Sequence, residues 1–390
     1  MADLAQLVRA SDCGPEGHGF ESHSPPHFFI LMKAMKLCFA PMDGITTCAT
    51  RFLTQKVFET FGEKSDTLFL WTEFMNIDGF LINPRKVCKH LLTTEHQKPI
   101  LQIYGGNKET LIKGIREIDQ HFYPFFRGIE LNTWCPSNSV MKVGGGSELM
   151  KDKQKTLEII KALSENLKNL PFSIKTRAWL NEGDKEQQRI FIQEASRYCK
   201  MISIHGRTLK QGYTGDADWE FIQQTKEHLA NSECLLFGNG GITSYQEAQQ
   251  KKEQYGLDGI MIGQGAIGNP WIFCKYNPTY EEKMQTILDH LDVSIACEEY
   301  FQEVIEGGDE NYLNRIVIPE DWITERIQKN RKKSDFSSHA IIEFRKFLFQ
   351  YVKGIPWSKE WKVSILAVDK YQELRDSIQS FFLNKKDLDF

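Results

Sequence analysis

One cysteine, Cys135, occupies a position in the sequence that suits a reactive side chain. Cys135 follows the short apolar segment 128–132 and precedes Pro136, which cannot donate to a sheet ladder and disfavours helix in the residue before it. We therefore expect Cys135 to lie where a strand gives way to a loop, with its thiol open to a ligand. An isolated cysteine is more often a small buried hydrophobe, so its surroundings must decide between the two interpretations.

Further polar residues stand at the ends of other apolar segments. They are Asp43, Gln102, Lys175, Arg177, His205, Arg207 and Asn239. The carboxyl ends of parallel strands in a closed barrel deliver side chains from many directions to one centre, and barrel enzymes build their active sites there. Each residue alone could be a turn, a cap or a solvated end. Because all of them stand at the ends of predicted strands, a common site is favoured.

Two glycine-rich turns, 238–241 and 263–265, follow the last two apolar segments of this series. In barrels this is a frequent position for a phosphate site, which indicates a phosphorylated cofactor or substrate. No nucleoside-triphosphate motif is present. Lys175 could stabilise negative charge on a ring such as a reduced flavin, and Gln102 can both donate to and accept from a ring edge. The acidic residues form no pair suited to glycoside hydrolysis.

The elements that must position these residues alternate along the chain. Apolar segments that predict buried strands lie at 37–40, 67–72, 100–104, 128–132, 172–176, 201–205, 235–238 and 259–263. Amphipathic segments that predict helices stand between them, for example at 108–121, 153–169, 186–199 and 245–255. Eight strand–helix units predict an α/β fold, a (β/α)8 TIM barrel. A doubly wound open sheet is the alternative, although it usually has fewer strands.

Three regions are predicted. Residues 1–34 are rich in turns, and we expect a disordered or non-native extension, with translation starting at Met32 or Met35. Residues 35–276 form the barrel. Residues 277–390 form an all-helical domain, with helices at 280–305 and 336–352 and an irregular connection at 307–330. Segment 321–353 carries eight Lys or Arg residues against four acidic ones, with aromatic residues interleaved, which suits a nucleic-acid backbone and exposed bases.

Composition limits which classes of protein and which kinds of site remain possible. The net charge of −4 means that any contact with a polyanion must come from a local patch. Nine cysteines without a CxxC pair or a zinc-like spacing predict reduced thiols in a cytoplasmic protein, and no metal site. No apolar run reaches the roughly 18 residues of a membrane span. We expect a cytoplasmic monomer with no membrane contact.

Taken together, the motifs resemble those of the tRNA-dihydrouridine synthases. In chain order they are Ala40-Pro41-Met42-Asp43-Gly44, Gln102-Ile103-Tyr104-Gly105, Glu130-Leu131-Asn132-Thr133-Trp134-Cys135-Pro136-Ser137, Ile174-Lys175-Thr176-Arg177, Ile204-His205-Gly206-Arg207-Thr208, Gly238-Asn239-Gly240-Gly241-Ile242 and Met261-Ile262-Gly263-Gln264-Gly265-Ala266. Phe344-Arg345-Lys346 and Tyr351-Val352-Lys353-Gly354 resemble the signature of the family's helical domain more loosely.

The resemblance implies a TIM-barrel flavoenzyme that reduces uridine in folded tRNA, with FMN as cofactor and NADPH (or NADH) as reductant. Hydride would pass from reduced FMN to C6 of a flipped-out uracil, and Cys135 would protonate C5. Flavin contacts are implied for Pro41, Met42, Asp43, Gln102, Lys175, His205, Asn239, Gly240, Gly241, Gly263 and Gln264. Contacts with uridine or tRNA are expected for Asn132, Arg177, Arg207, Arg345, Lys346 and Lys353.

Two features qualify the resemblance. Gln264 stands where the family commonly has arginine, which should weaken phosphate binding. The glycines 144–146 resemble a variant of the bacterial subgroup that acts on position 16 in the D-loop, and we expect them to form a lid. The alternatives are an FMN barrel oxidoreductase that acts on a free pyrimidine, and a non-catalytic RNA-binding relative.

Overall fold

Eight parallel strands close into a barrel. The computed structural model describes residues 34–180, 182–229, 232–307, 312–333 and 335–383. The strands are β1 (Lys36–Phe39), β2 (Thr67–Asn76), β3 (Ile100–Tyr104), β4 (Gly128–Asn132), β5 (Phe172–Arg177), β6 (Met201–His205), β7 (Leu235–Asn239) and β8 (Gly259–Ile262). Each strand pairs with the next, and β8 returns to β1 with Met261 opposite Cys38. The predicted TIM barrel is confirmed, and the open doubly wound sheet is wrong.

Alternation along each strand determines what fills the barrel. In β4, Ile129 and Leu131 pack outwards in the core shared with the helices, whereas Glu130 and Asn132 point inwards and bond to a neighbouring strand. An apolar cluster also fills the interior, beginning at the amino ends of β3 and β6, and consists of Cys38, Ala40, Trp71, Ile100, Met201, Phe237 and Met261. The polar inward residues therefore form a layer above a sealed apolar base.

Amphipathic helices cover the barrel. They are α1 (Cys48–Phe61), α2 (Ile77–Ile82), α3 (Lys108–His121), α4 (Lys153–Asn166), α5 (Lys185–Ala195), α6 (Trp219–His228) and α7 (Tyr245–Gln254). In α3, Leu111, Ile115 and Ile118 recur at helical spacing and are buried, while Asn107 caps the first turn by accepting from the Thr110 N–H. After β8 the chain forms two 3-10 turns, Gln264–Ala266 and Pro270–Phe273.

Five further helices follow the barrel: α8 (Tyr280–Tyr300), α9 (Glu320–Lys333), α10 (His339–Tyr351), α11 (Ser358–Ser364) and α12 (Tyr371–Leu383). The predicted C-terminal helical region is thus confirmed. It is joined to the barrel through His290 of α8, whose Nε2 lies 3.2 Å from Thr50 Oγ1 of α1 and whose Nδ1 lies 3.1 Å from the Tyr351 hydroxyl. Residues from 34 onwards form one compact unit.

The connection expected at 307–330 is more ordered than its sequence suggests. It contains the start of α9 and a two-residue strand, Val317–Ile318, which pairs in parallel with Thr93–Thr94 beside the barrel. Only Ile323 and Asn330 of α9 are buried, so its apolar periodicity is too weak to predict a helix. The prediction of an irregular segment was therefore wrong over this helix.

Other bounds differ by a few residues for identifiable reasons. The helix predicted at 153–169 ends at Asn166, because the Asp119 carboxylate accepts the N–H groups of Lys168, Asn169 and Leu170. The α-helix predicted at 280–305 ends at Tyr300 and continues as the π-helical turn Phe301–Glu306. Across the described segments, no helix is long and apolar enough to cross a membrane. The predictions for residues 1–33 lie outside the described residues.

Candidate active site

A cavity of about 720 Å³ opens at the carboxyl ends of the strands, a size suited to a cofactor. It brings together sixteen of the residues that the sequence predicted for a site. They are Pro41, Met42, Asp43, Gln102, Asn132, Cys135, Lys175, Arg177, His205, Arg207, Asn239, Gly240, Gly241, Gly263, Gln264 and Lys353. The other two predicted residues, Arg345 and Lys346, do not line it.

Cys135 lies in the wall of this cavity, just beyond the end of β4. Its thiol is partly exposed, whereas the other cysteines in the described part of the chain are buried. The Asn132 side chain holds the turn, because its Oδ1 accepts from the backbone N–H groups of Trp134 at 3.0 Å and Cys135 at 2.9 Å. Burial raises the pKa of the Cys135 thiol, and the Asp43 carboxylate adds to this shift. The thiol is therefore protonated at neutral pH.

The glycines 144–146 pack behind Cys135. Gly146 has a φ of +58°, and a Cβ there would lie 2.5 Å from the Cys135 carbonyl oxygen. The next residue, Ser147, donates its N–H to that same carbonyl at 3.1 Å. Gly145 and Gly146 are buried, so they support the cysteine turn in this structure rather than forming an open lid.

Glu130 is a site residue that sequence reasoning missed. It is completely buried, and its Oε1 accepts from Gln102 Nε2 at 2.7 Å. Gln102 Oε1 in turn accepts from Asn132 Nδ2 at 3.1 Å. Burial raises the pKa of the Glu130 carboxyl, while the Lys175 ammonium acts in the opposite direction. Strand alternation could have found it, because Glu130 shares the inward face of β4 with Asn132.

Lys175 places a cation on the strand next to that of Glu130. It projects from β5 beside Asn132 and lies 3.4 Å from Asn239 Oδ1, to which its Nζ donates. No carboxylate oxygen of the described residues lies within 4.0 Å of its ammonium. Burial lowers the Lys175 pKa, and the Glu130 carboxylate opposes this effect. The ammonium is thus placed to meet an anionic group in the cavity.

Backbone geometry at the end of β7 suits an anion. Gly240 and Gly241 have φ values of +135° and +77°, which side-chain-bearing residues rarely adopt. A Cβ on Gly240 would lie 2.7 Å from Ala217 Cβ, and one on Gly241 would lie 3.6 Å from Arg207 Nη2. Arg207 therefore brings a cation beside the 238–241 turn. Gln264 supplies no cation at the 263–265 turn.

Arg177, Arg207 and His205 hold the loop after β6 at the cavity rim. Arg177 Nη1 donates to the Gly212 carbonyl at 2.8 Å, and Arg207 Nε donates to the Gly215 carbonyl at 2.9 Å. Burial and the neighbouring cations lower the pKa of His205 well below its usual range, so the ring is neutral. The sequence did not single out Tyr213, whose ring is 64% exposed and 5.7 Å from the Arg177 guanidinium carbon.

Four of the eight basic residues of segment 321–353 bond an acidic partner or a carbonyl. Arg345 donates to the Val368 carbonyl at 2.6 Å, away from the cavity. Lys346 pairs with Glu343 at 2.6 Å, yet its Nζ would lie 3.3 Å from a Cβ on Gly44, so it stands at the rim next to Asp43. A sequence count of positive charge therefore overstates the free positive surface.

The sequence predicted no metal site, and one cluster bears on that prediction. Ligand atoms of Asp43, Glu73 and His90 lie within 4.8 Å of one another. Glu73 Oε1 already accepts from the Gly44 N–H at 2.8 Å, and the positive charges of Arg51 and Lys89 act on the same carboxylate. These cations disfavour a bound metal ion.

The model of the dihydrouridine synthase family matches residues 38–385. A probable tRNA-dihydrouridine synthase of Rickettsia conorii is 35% identical over 258 residues, 65% of this chain and 68% of the relative. Another, of Aquifex aeolicus, is 26% identical over 352 residues, 89% of this chain and 96% of the relative. An NAD(P)(+) tRNA-dihydrouridine(47) synthase of Coprinopsis cinerea is 30% identical over 209 residues, 50% of this chain but only 31% of the relative. Because the family model spans most of its length, the chain belongs to the dihydrouridine synthase family.

Proposed function

We propose that the protein is an FMN-dependent tRNA-dihydrouridine synthase, which reduces the C5–C6 double bond of uridine in tRNA with NADPH or NADH. One observation carries the proposal: a partly exposed, protonated Cys135 thiol shares a cavity with the Lys175 cation and the glycine turns. Relatives of this chain named as tRNA-dihydrouridine synthases support the choice of substrate.

The residues present fit a flavin mononucleotide. Lys175 and Gln102 would contact the ring, which would lie over Pro41, Met42 and Asp43. The 238–241 and 263–265 turns would hold the phosphate, since their backbone N–H groups are not shielded by side chains. Arg207 offers the cation that Gln264 does not. When bound, FMN supplies hydride transfer between the nicotinamide and C6 of the uracil.

Cys135 would supply the proton that completes the reduction. Hydride addition at C6 leaves an electron pair shared between C5 and the adjacent carbonyl oxygen. Transfer of the Sγ proton to C5 neutralises that charge and leaves a thiolate, which solvent reprotonates. A thiol with a raised pKa is fully protonated at neutral pH and can act as this general acid. Asn132 keeps the cysteine turn fixed throughout.

A uridine in folded tRNA must leave its stack to reach this cavity, at a cost of a few kcal/mol. Contacts between cations and phosphates can offset that cost. Lys353 at the cavity rim and Lys346 beside the Asp43 turn are placed for such contacts, and we assign the region 277–390 to tRNA binding. The D-loop is the proposed target, with position 16 favoured by the resemblance of glycines 144–146. The cytoplasm is the proposed compartment, with the enzyme acting as a monomer.

The proposed function is tested by mapping dihydrouridine in tRNA from cells that lack the gene. We expect the modification to disappear from at least one position and to return with the intact protein, but not with Cys135→Ala. An unchanged map in cells without a second synthase would refute the function. If the purified protein reduces free uracil as fast as tRNA, a free-pyrimidine reductase is the better assignment. If the purified protein shows no flavin absorption after FMN is added, a non-catalytic RNA-binding relative is the better assignment.

A further inference from the structure

Glu130 has no part in the chemistry proposed above, yet it lies directly beneath it. Its side chain is completely buried in the polar layer of the barrel. Oε1 accepts one hydrogen bond from Gln102, and Oε2 has no hydrogen-bond partner among the described residues. Burying a carboxylate that is only partly satisfied destabilises a fold, so packing alone does not account for this residue.

A continuous hydrogen-bond chain connects this carboxylate to Cys135. Gln102 Nε2 donates to Glu130 Oε1 at 2.7 Å, and Asn132 Nδ2 donates to Gln102 Oε1 at 3.1 Å. Asn132 Oδ1 then accepts from the Trp134 and Cys135 N–H groups at 3.0 and 2.9 Å. Both amide side chains line the cavity. The chain therefore passes along the cavity wall before it reaches the cysteine.

The cysteine end of the chain fixes the direction of every link, and Glu130 supplies the acceptor at the other end. An ionised carboxylate can only accept, and a backbone N–H can only donate. Asn132 must turn its oxygen towards Cys135, and Gln102 must turn its nitrogen towards Glu130. Each NH₂ group then keeps one hydrogen that the chain does not use. A ligand in the cavity therefore meets two N–H donors, which suit the carbonyl oxygens and unprotonated ring nitrogens of a flavin or a uracil.

We propose that Glu130 is a positioning residue: its carboxyl group is the terminal acceptor that holds the Gln102–Asn132 chain in place, and through it the donors that face the ligands and the orientation of Cys135. The inference rests on the proposed function only for the identity of those ligands. The orientation of Cys135 follows from the chain itself.

Burial raises the pKa of the Glu130 carboxyl to about 7, with the Lys175 ammonium opposing this shift, so the ionised and protonated forms are both present at neutral pH. Lys175 is two residue pairs further along the β4–β5 ladder, because Glu130 pairs with Ser173 and Asn132 pairs with Lys175. The other titratable groups that interact with the carboxylate are the thiols of Cys38 and Cys199. Burial raises both thiol pKa values well above their usual range, so both are neutral. Protonated Glu130 still accepts from Gln102, but the hydrogen bond is no longer charge-assisted, so the chain is held less firmly as pH falls.

Alkylation of Cys135 by iodoacetamide, followed peptide by peptide in the flavin-loaded enzyme, measures this effect. Glu130→Met removes the acceptor, and we expect the alkylation rate to change about five- to tenfold, the effect of one lost hydrogen bond. Glu130→Gln keeps an acceptor oxygen, so its rate should stay within twofold of the original enzyme at neutral pH. In the original enzyme, the alkylation rate of Cys135, divided by the fraction of thiolate, should change with pH as Glu130 protonates. In Glu130→Gln this corrected rate should not change with pH.

Ser203→Ala is the matched control. Ser203 is a buried residue of β6 whose Oγ has no hydrogen-bond partner among the described residues, and it belongs to neither the chain nor the cavity wall. Its loss should leave the alkylation rate unchanged. In a Gln102→Met background, Glu130→Met should add no further change, because the link between them is already cut.

Three results would overturn the inference. The first is a Glu130→Met enzyme that thermal unfolding shows to be folded and whose Cys135 is alkylated within twofold of the original rate. The second is an equal change of the alkylation rate in Ser203→Ala. The third is a full effect of Glu130→Met on that rate in the Gln102→Met background. The measurement needs no tRNA turnover. An enzyme that fails to reduce tRNA but shows Glu130-dependent alkylation would thus refute the proposed function and leave the positioning role standing.

Discussion

The Arg331 guanidinium donates twice to the Asp292 carboxylate, from Nη2 at 2.6 Å and from Nε at 2.9 Å. Arg375 and Tyr371 donate to the same carboxylate, so one buried acid of α8 ties α9 and α12 together. Arg326 is similarly neutralised by Glu303 at 2.7 Å. Two of the cations counted towards a nucleic-acid surface therefore stabilise the helical region itself.

Replacing Asp292 with alanine should destabilise the protein by about 3–5 kcal/mol, because it leaves two guanidinium groups without their shared carboxylate. Urea unfolding of the flavin-loaded protein measures this loss. Asp289→Ala is the control: Asp289 is 44% exposed and lies 3.4 Å from Arg331, so its loss should cost below about 1 kcal/mol. Equal effects of the two substitutions would show that Asp292 is not the centre of the network.

Cys135→Ala should lower turnover on tRNA about 10²–10⁴-fold, the usual contribution of a positioned general acid. FMN absorption and tRNA affinity should remain, since Asn132 bonds only the backbone of residue 135. Cys234→Ala removes a buried thiol just before β7, at the other end of the barrel, and should retain activity. Normal single-turnover reduction by Cys135→Ala would exclude the thiol as the proton donor.

The pH dependence of turnover should report the same thiol. Burial raises the pKa of Cys135 above the usual value of about 8.5, so the proton donor is intact across neutral pH. The rate of the proton-transfer step should fall at alkaline pH as the thiol deprotonates. Single-turnover rates, measured across pH at saturating tRNA, show whether the rate falls or rises as the thiol deprotonates. A rate that rises as the thiol deprotonates would instead indicate a thiolate nucleophile.

The barrel could be predicted because its strands are short, apolar and separated by regular helices. The bounds of Ile100–Tyr104, Gly128–Asn132 and Met201–His205 agree with the sequence prediction to the residue. Motif positions at strand ends predicted fifteen residues of one cavity, because the carboxyl ends of the strands in a closed barrel meet at one centre. The sixteenth, Lys353, follows α10.

What the sequence could not predict depends on contacts between distant segments. Arg345 matches a motif, yet it bonds a carbonyl 23 residues away and does not reach the cavity. Gly144 to Gly146 look flexible in sequence, but Gly146 packs against the Cys135 backbone, and Gly144 and Gly145 pack against Gly106 and Gly105. Glu130 looks like one more strand residue in the sequence, and only its bond to Gln102 on the adjacent strand links it to the cysteine.

Lys175→Met should lower the two-electron midpoint potential of the bound flavin by about 30 mV or more, which corresponds to about 1.4 kcal/mol of lost stabilisation of the reduced form. The reason is that the Lys175 ammonium has no carboxylate oxygen of the described residues within 4.0 Å and faces the cavity. Lys175→Arg keeps the charge and should shift the potential much less. Spectroelectrochemical titration of both variants measures the shift, and an unchanged potential in Lys175→Met would place the ammonium away from the ring.

Lys353→Gln should weaken tRNA binding without changing the flavin site chemistry. Lys353 is exposed at the cavity rim, and it lies close enough to Lys362 for the two positive charges to interact. Loss of one phosphate contact should raise KM for tRNA about five- to tenfold and reduce the slope of log affinity against log salt by about one. Lys200→Gln is the control, since Lys200 is 70% exposed at the amino end of β6, on the opposite face of the barrel. If both substitutions change the salt slope equally, tRNA attraction is a property of the whole surface, and the rim contact assigned to Lys353 is wrong.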